Sequence, residues 1–208
     1  MISYLEIKVE DHVIDYPKAL DLMEDRARHV FEGSQSPLLW LLEHPPLYTL
    51  GTSASPEDIL NQDLPAYETG RGGQVTYHGP GQRVAYLIID LKNRSQDLRA
   101  YVRDLEEWLI LTLTDFGIEG LRREGRVGIW IIENGVEKKI AAIGVRVKKW
   151  VTLHGIALNV NPNLSHYDGI VPCGLPQYGI TSLHDLGIEA SMADVDQALI
   201  RNFHKVFG

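Results

Sequence analysis

The stretch Arg71-Gly72-Gly73-Gln74-Val75-Thr76-Tyr77-His78-Gly79-Pro80-Gly81-Gln82 runs through Arg83 into Val84-Ala85-Tyr86-Leu87-Ile88-Ile89-Asp90-Leu91. Four glycines and a proline fall within its first twelve residues. Glycine has no Cβ, so such a loop lets backbone N–H groups approach a ligand closely. Interleaved with the glycines are an arginine, a histidine, a tyrosine, a threonine and two glutamines. A polar, glycine-rich loop held by a buried element is a common way to build a binding site. The run after the loop decides the fold class. A dinucleotide-binding fold needs a helix immediately after its glycines, and here an apolar run of strand character takes that place. The G-x-x-x-x-G-K-[ST] phosphate loop is absent as well.

Outward from this point, strands outnumber helices. Residues 4–9 alternate apolar and polar side chains, and 37–43 form a continuous apolar run that suits a central strand. His44-Pro45-Pro46 interrupts it before Leu47-Tyr48-Thr49-Leu50-Gly51 resumes. Residues 52–65 read as an exposed loop. Strands are expected over 127–132, 140–147 and 150–160, with Asn134-Gly135 as a hairpin signal between the first two. Helical spacing appears in Tyr16, Ala19, Leu20, Met23, Ala27, Val30 and Phe31, with Asp15 as N-cap, Pro17 in the first turn and Gly33 at the end. Leu98, Tyr101, Val102, Leu105, Trp108, Leu109, Thr112 and Phe116 make the clearest helical stripe, which Gly117 stops. A short helix is expected over 182–186. A last one is expected from Ser191, with Asp194 three residues on, burying Val195, Leu199, Phe203 and Val206. The pattern predicts α+β: a single domain over residues 1–208 with a mixed central sheet and helices on one face.

The chain has 208 residues, 44% of them hydrophobic and 23% charged, which suits one ordinary globular domain. Its formal net charge of −8 argues against a nucleic-acid partner, which selects a basic field. Basic residues do cluster locally in sequence at Arg122, Arg123, Arg126, Arg146, Lys148 and Lys149. The N-terminal residues lack the basic and apolar regions of a signal peptide, and no apolar run approaches membrane-spanning length. The expectation is a soluble, cytoplasmic protein with no membrane partner. A lone cysteine, Cys173, forbids an internal disulfide and a Cys-rich metal site.

That cysteine is the first candidate for chemistry. A lone cysteine is more often a small buried apolar side chain than a nucleophile. Its setting, Val171-Pro172-Cys173-Gly174-Leu175-Pro176, describes a rigid irregular turn, which can expose and aim a nucleophile. A free thiol with a pKa of about 8.5 is only a few per cent thiolate at neutral pH, so it needs an activating partner. Lys139, which opens the small apolar run Ile140-Ala141-Ala142-Ile143-Gly144, is one candidate. Its neighbour Lys138 would face the opposite way in a strand. An ordinary solvated hairpin lysine would look the same in sequence. Two unit charges about 4 Å apart attract by roughly 4 kcal/mol at an effective dielectric of about 20. That corresponds to roughly three pKa units before desolvation opposes it. Among the histidines, His78 and His154 sit in similar Tyr77-His78-Gly79 and Leu153-His154-Gly155 settings, and neither has metal-site spacing. A Cys/His hydrolase stays open, because sequence separation does not exclude contact.

Four motifs in this order, residues 71–82, Lys139-Ile-Ala-Ala-Ile-Gly144, His154-Gly-Ile-Ala-Leu-Asn159 and Pro172-Cys-Gly174, resemble the octanoyltransferases of lipoate biosynthesis. Glu43-His-Pro-Pro-Leu-Tyr-Thr-Leu-Gly51 and Thr181-Ser-Leu183 extend the resemblance over nearly the whole chain, and Tyr167 departs from it where phenylalanine is expected. The resemblance implies the fold shared by biotin and lipoate protein ligases. It implies transfer of an octanoyl group from octanoyl-acyl carrier protein, through a thioester on Cys173, to a lysine of a lipoyl domain. The implied acceptors are the lipoyl domains of 2-oxoacid dehydrogenase E2 subunits and the glycine cleavage H protein. Lys139 would lower the thiol pKa, and no cofactor or metal is implied. The implied acyl-site residues are Arg71, Gly72, Gly73, Gln74, Val75, Thr76, Tyr77, His78, Ala142, Ile143, Gly144, Gly155, Ile156 and Ala157, with Val75, Tyr77, Ile143, Ile156 and Leu158 as apolar walls. Docking of an acidic carrier would need a local basic patch. The competing readings are an ATP-dependent lipoate ligase and a non-catalytic module that binds lipoyl domains.

Overall fold

Three apolar runs set the architecture. They form β2 (Leu38–Glu43), β6 (Gln82–Ile88) and β9 (Val151–Asn159), and β6 and β9 are buried along their whole length. The computed structural model describes residues 4–171 and 178–208, so Pro172, Cys173 and Gly174 lie outside the described residues. Around the three central strands, β1 (Glu6–Val13) pairs in parallel with β2, and β2 pairs antiparallel with β6. β6 then pairs antiparallel with β9, and β9 with β8 (Val136–Lys148). The long β8 also takes β7 (Ile129–Glu133) and the short β10 (Gly179–Ile180), the latter in parallel.

Strands with no exposed face need covers on both sides. On one side Leu39, Leu41, Ala85, Leu87, Ile156 and Leu158 meet α2 (Leu98–Thr114) and α3 (Met192–Phe207). There the indole of Trp108 stands edge-on to Phe203 and donates to the Leu199 carbonyl at 2.7 Å. On the other side Leu38, Trp40, Leu42, Val84 and Tyr86 meet Ala19, Met23, Ala27 and Val30 of α1 (Tyr16–Glu32). Helices therefore cover both faces of the sheet, not one. The unbroken apolar runs, in place of alternation, are the physical reason.

A second, three-stranded sheet lies off the first, in the order β4 (Ala66–Glu68), β3 (Leu47–Leu50), β5 (Val75–His78). Its Tyr48, Leu50, Val75 and Tyr77 form a separate apolar cluster with Tyr167 and Ile170. The glycine-rich stretch is thus a loop only as far as Gln74 and a strand from Val75. The loop is pinned to the main sheet by the Gly72 N–H, which donates to the Val145 carbonyl at 2.9 Å.

Other boundaries also move. The first strand runs from Glu6 to Val13 and not over 4–9. β8 starts at Val136, so Lys139 lies inside the strand and not at its entrance. Trp150 belongs to the tight β8–β9 turn, where Lys149 and Trp150 have φ of 53° and 71°. Residues 182–186 form a capped turn and not a helix. Ser182 Oγ accepts from the Asp185 N–H, and Gly187 at φ 79° redirects the chain after a single turn. Asp15 occupies the N-cap position of α1 without a side-chain cap bond. The Ser191–Asp194 capping box of α3 forms as expected.

Candidate active site

The edge of the small sheet and the face of the large one enclose a cavity of about 440 Å³. Its floor is low because four neighbouring strand positions carry almost no side chain: Ala142 and Gly144 on β8, Gly155 and Ala157 on β9. A Cβ at Gly155 would stand 2.2 Å from the Ala85 carbonyl oxygen, and one at Gly144 would stand 2.9 Å from Arg71 Cδ. These two glycines therefore permit close approach, of strand to strand and of loop to strand. Val75, Thr76 and His78 of β5 contribute to the wall, together with Arg71, Gly73 and Gln74 of the preceding loop. Ile143 and Ile156, also expected at an acyl site, line it too. Gly72 and Tyr77 are not part of the lining: Tyr77 packs against Tyr48 and Tyr167. Leu158, expected as an apolar wall, is in the core beneath α2 and α3.

Lys139 stands at one end of this cavity beside Arg126 and Val127. Alternation along β8 sends Lys138 the other way, to Glu133 at 2.5 Å. Lys139 is 5% exposed; its ammonium lies 4.8 Å from the centre of the Trp130 ring and donates to the Val127 carbonyl at 3.1 Å. A buried cation is held by such contacts because desolvation would otherwise be costly. The chain on either side of residues 172–177 is anchored close by. Val171 donates its N–H to the Asp58 carbonyl, and Tyr178 stands edge-on to Trp130, the ring beneath Lys139. Ile180 then pairs with Lys139 across β10 and β8. Cys173, the sequence candidate for nucleophile, lies within that bracketed segment and outside the described residues.

A polar network supports the wall behind Lys139. His78 Nδ1 donates to Gln82 Oε1 at 2.6 Å, because the Gln82 amide nitrogen is engaged as donor to Asn159 Oδ1 at 2.9 Å. Asn159 Nδ2 reaches the Thr181 carbonyl, and the Thr181 N–H reaches the Lys139 carbonyl at 3.0 Å. This chain of bonds fixes the backbone of β8 where Lys139 projects.

Another part of the lining is aromatic. His44 Nδ1 donates to the Ile14 carbonyl at 2.6 Å, which leaves its Nε2 to accept from the Tyr86 hydroxyl at 2.7 Å. Tyr16 stands edge-on to His44 at 5.3 Å, and His154 edge-on to Tyr86 at 5.8 Å. Leu153 belongs to the cluster under α1, as Tyr86 does, so consecutive residues turn toward one face; the φ of 61° at His154 permits this. Burial pushes all three imidazoles toward neutrality: His44 to about 4, His78 to about 3 and His154 to about 3. The Arg71 guanidinium adds to the effect at His78 and His154. Arg71 itself is buried and donates to the Thr49 carbonyl at 2.7 Å and to Thr49 Oγ1 at 2.8 Å. Sequence reasoning passed over Tyr16, Val84, Tyr86 and Arg126, all of which line the cavity. The first three read as core positions in helix and strand, and only tertiary structure separates a cavity wall from a core.

The sequence-local basic cluster is largely neutralised. Arg122 pairs with Glu106 and Glu107, Arg123 and Arg126 with Glu137, and Arg146 with Glu24. Among the described residues no group of three or more His, Cys, Asp or Glu side chains is placed to hold a metal ion. No helix among them is long and apolar enough to cross a membrane.

Residues 15–204 match the family model of the lipoyl protein ligase A/B catalytic domain. An octanoyltransferase of Paramagnetospirillum magneticum is 58% identical over 206 residues, covering 98% of this chain and 97% of the relative. An octanoyltransferase of Rhodopseudomonas palustris is 56% identical over 207 residues, covering 97% and 88%. Among solved structures, a bipartite lipoate protein ligase from Thermoplasma acidophilum superposes with a TM-score of 0.74 at 19% identity, over 98% of this chain and 84% of that one. A lipoate-protein ligase A bound with ATP gives 0.73 at 18%, over 97% and 85%. These two establish a shared fold.

Proposed function

Because the chain belongs to the octanoyltransferases of the lipoyl protein ligase A/B catalytic-domain family, we propose that it moves an octanoyl group from octanoyl-acyl carrier protein to a lysine of a lipoyl domain, through a thioester on Cys173. The observation that carries this reading is the position of Lys139. It is a buried strand lysine at one end of an acyl-sized cavity, and Tyr178, next to the segment holding Cys173, packs on the same Trp130 ring.

In this mechanism the Cys173 thiolate attacks the carbonyl carbon of the carrier thioester. The bond from that carbon to the pantetheine sulfur breaks as the bond to Cys173 Sγ forms, and the Lys139 ammonium gives the departing thiolate its proton. The amine of the acceptor lysine then attacks the enzyme thioester. Its proton passes to Lys139, and Cys173 leaves again as thiolate. The acyl group arrives activated as a thioester, so the cycle closes without ATP. The wall of Val75, Ile143 and Ile156 would hold the chain, and the floor of Ala142, Gly144, Gly155 and Ala157 would give it room.

The test is to incubate the protein with octanoyl carrier protein in the absence of ATP and to examine Cys173 by mass spectrometry. The expected result is a covalent octanoyl adduct on Cys173 that disappears when a lipoyl domain is added. If no adduct forms, the transferase mechanism fails, and ligation driven by ATP becomes the better reading.

A further inference from the structure

Trp130 is 1% exposed, yet among the described residues it belongs to none of the three apolar clusters. Its strand neighbours Ile129 and Ile131 both join the core beneath α2 and α3. Apolar packing therefore does not account for the burial of this ring. Its partners are instead two cations, a second ring and a backbone carbonyl. The Lys139 ammonium lies 4.8 Å and the Arg126 guanidinium 4.7 Å from its centre. Tyr178 stands edge-on to it at 5.3 Å, and Arg126 stacks on that ring too, at 4.2 Å. The indole N–H donates to the Arg126 carbonyl at 2.9 Å, and the next carbonyl, of Val127, accepts from the Lys139 ammonium. Two consecutive carbonyls thus orient the ring and the cation together. The strand register points the same way. The β7–β8 pairing slips by one residue between Ile129 and Trp130, and the slip sets Trp130 directly opposite Lys139. Continued without it, the Ile129–Ala141 pairing would put Ile131 in that place. Irregularities of this kind often re-aim a side chain beside an active site. Gly128, at φ 117°, precedes the slip, and a Cβ there would stand 2.6 Å from the Ala141 carbonyl oxygen, so the strands can close up only on a glycine.

We propose that Trp130 is a positioning residue for acyl transfer: its ring, braced by Arg126, seats the Lys139 ammonium where it meets the reacting groups. The inference rests on the acyl-transfer reading for what those groups are. Trp130 does not line the cavity, so it acts through Lys139 and not on the acyl chain. Neither an indole face nor a backbone carbonyl takes up a proton near neutral pH. Both therefore orient the ammonium without diverting the proton that it exchanges with thiol and amine. A desolvated contact between an ammonium and an indole face favours the seated lysine by roughly 30-fold. An aliphatic side chain in place of the ring forfeits that factor, whereas a phenyl ring keeps part of it.

The test compares the unaltered protein with Trp130→Phe, Trp130→Leu and Arg126→Gln, each shown to be folded by a thermal melt. Two rates are read by mass spectrometry. One is acetylation of Lys139 by an N-hydroxysuccinimide ester, with Lys138 as internal reference. The other is octanoylation of Cys173 over a range of octanoyl carrier protein concentrations. In Trp130→Leu, Lys139 acetylation should rise and octanoylation at saturating donor should fall, each by at least about tenfold. The half-saturating donor concentration should stay within about twofold, because the cavity lining is untouched. Trp130→Phe should recover most of both losses. Arg126→Gln keeps both carbonyls and should raise Lys139 acetylation by about threefold or more, which tests the inference even where Trp130→Leu does not fold. Unchanged acetylation of Lys139 in the folded variants overturns the inference. So does a Trp130→Phe as impaired as Trp130→Leu, or a loss confined to donor affinity. Lys139 acetylation that responds as expected in a protein forming no Cys173 adduct would refute the transfer reaction and leave the seating of Lys139 by Trp130 standing.

Discussion

Mild acid should destabilise this protein strongly, and the histidines around the cavity set the size of the effect. His44, His78 and His154 sit at about 4, 3 and 3, against about 6.5 for an unfolded imidazole. Burial is the first cause for each, and it penalises the charged ring. A folded pKa held below the unfolded one means that the unfolded chain binds more protons as pH falls, so stability is present above pH 6.5 and lost below it. Between pH 8 and pH 5.5 each unfolded imidazole takes up about 0.9 proton while the folded one takes up almost none. The loss is about 1.4 kcal/mol per group and about 4 kcal/mol for the three. Asp196 works the other way. Burial raises its carboxyl to about 6 despite Arg83, so protonation in the same interval favours the fold, by less than about 1 kcal/mol once solvent screening is allowed for. The net expectation is a loss of roughly 3 kcal/mol, a large fraction of the stability of an ordinary domain. Urea unfolding followed by tryptophan fluorescence at pH 8 and pH 5.5 measures it directly. A difference below about 1 kcal/mol would refute the reasoning, because the imidazoles would then titrate in the folded protein without opening the cavity wall.

Two more outcomes are expected at the same site. Lys139→Met keeps the stem over Trp130 and removes the charge; acylation of Cys173 should slow by roughly 10²- to 10⁴-fold, the usual worth of general acid–base catalysis. Alkylation of the thiol should also require higher pH, and an unchanged alkylation profile would remove Lys139 from the mechanism. Gly155→Ala should cost roughly 1–3 kcal/mol, because the new methyl would meet the Ala85 carbonyl at 2.2 Å between two paired strands. Gly72→Ala, whose Cβ would meet nothing closer than 3.6 Å, should stay within about 0.5 kcal/mol; thermal melts that rank the two the other way would refute the close-packing account.

How much of this could be read from the chain alone depends on how far each feature reaches in sequence. The strand after the glycine-rich loop was legible because β6 is a continuous apolar run, and that one observation removed the nucleotide-binding alternative. The same continuity in β2 and β9 carried a second message, two covered faces, that the count of helices and hairpins obscured. Val75–His78 was hidden for a different reason. Glycines crowd both its ends, and its partner, Leu47–Leu50, lies on the far side of the 52–65 loop. Lys139 could be singled out as a cation entering a small apolar run, but its burial over Trp130 required the β7–β8 pairing. The aromatic part of the cavity was illegible in principle. Tyr16 begins a helix, Tyr86 lies in mid-strand, and His154 comes after a leucine that faces the same cluster, so alternation misdirects any assignment of its side chain. A φ of 61° at a histidine costs conformational energy that a glycine would avoid, and it is the one place on β9 where the backbone leaves the extended region to turn a polar ring into the cavity.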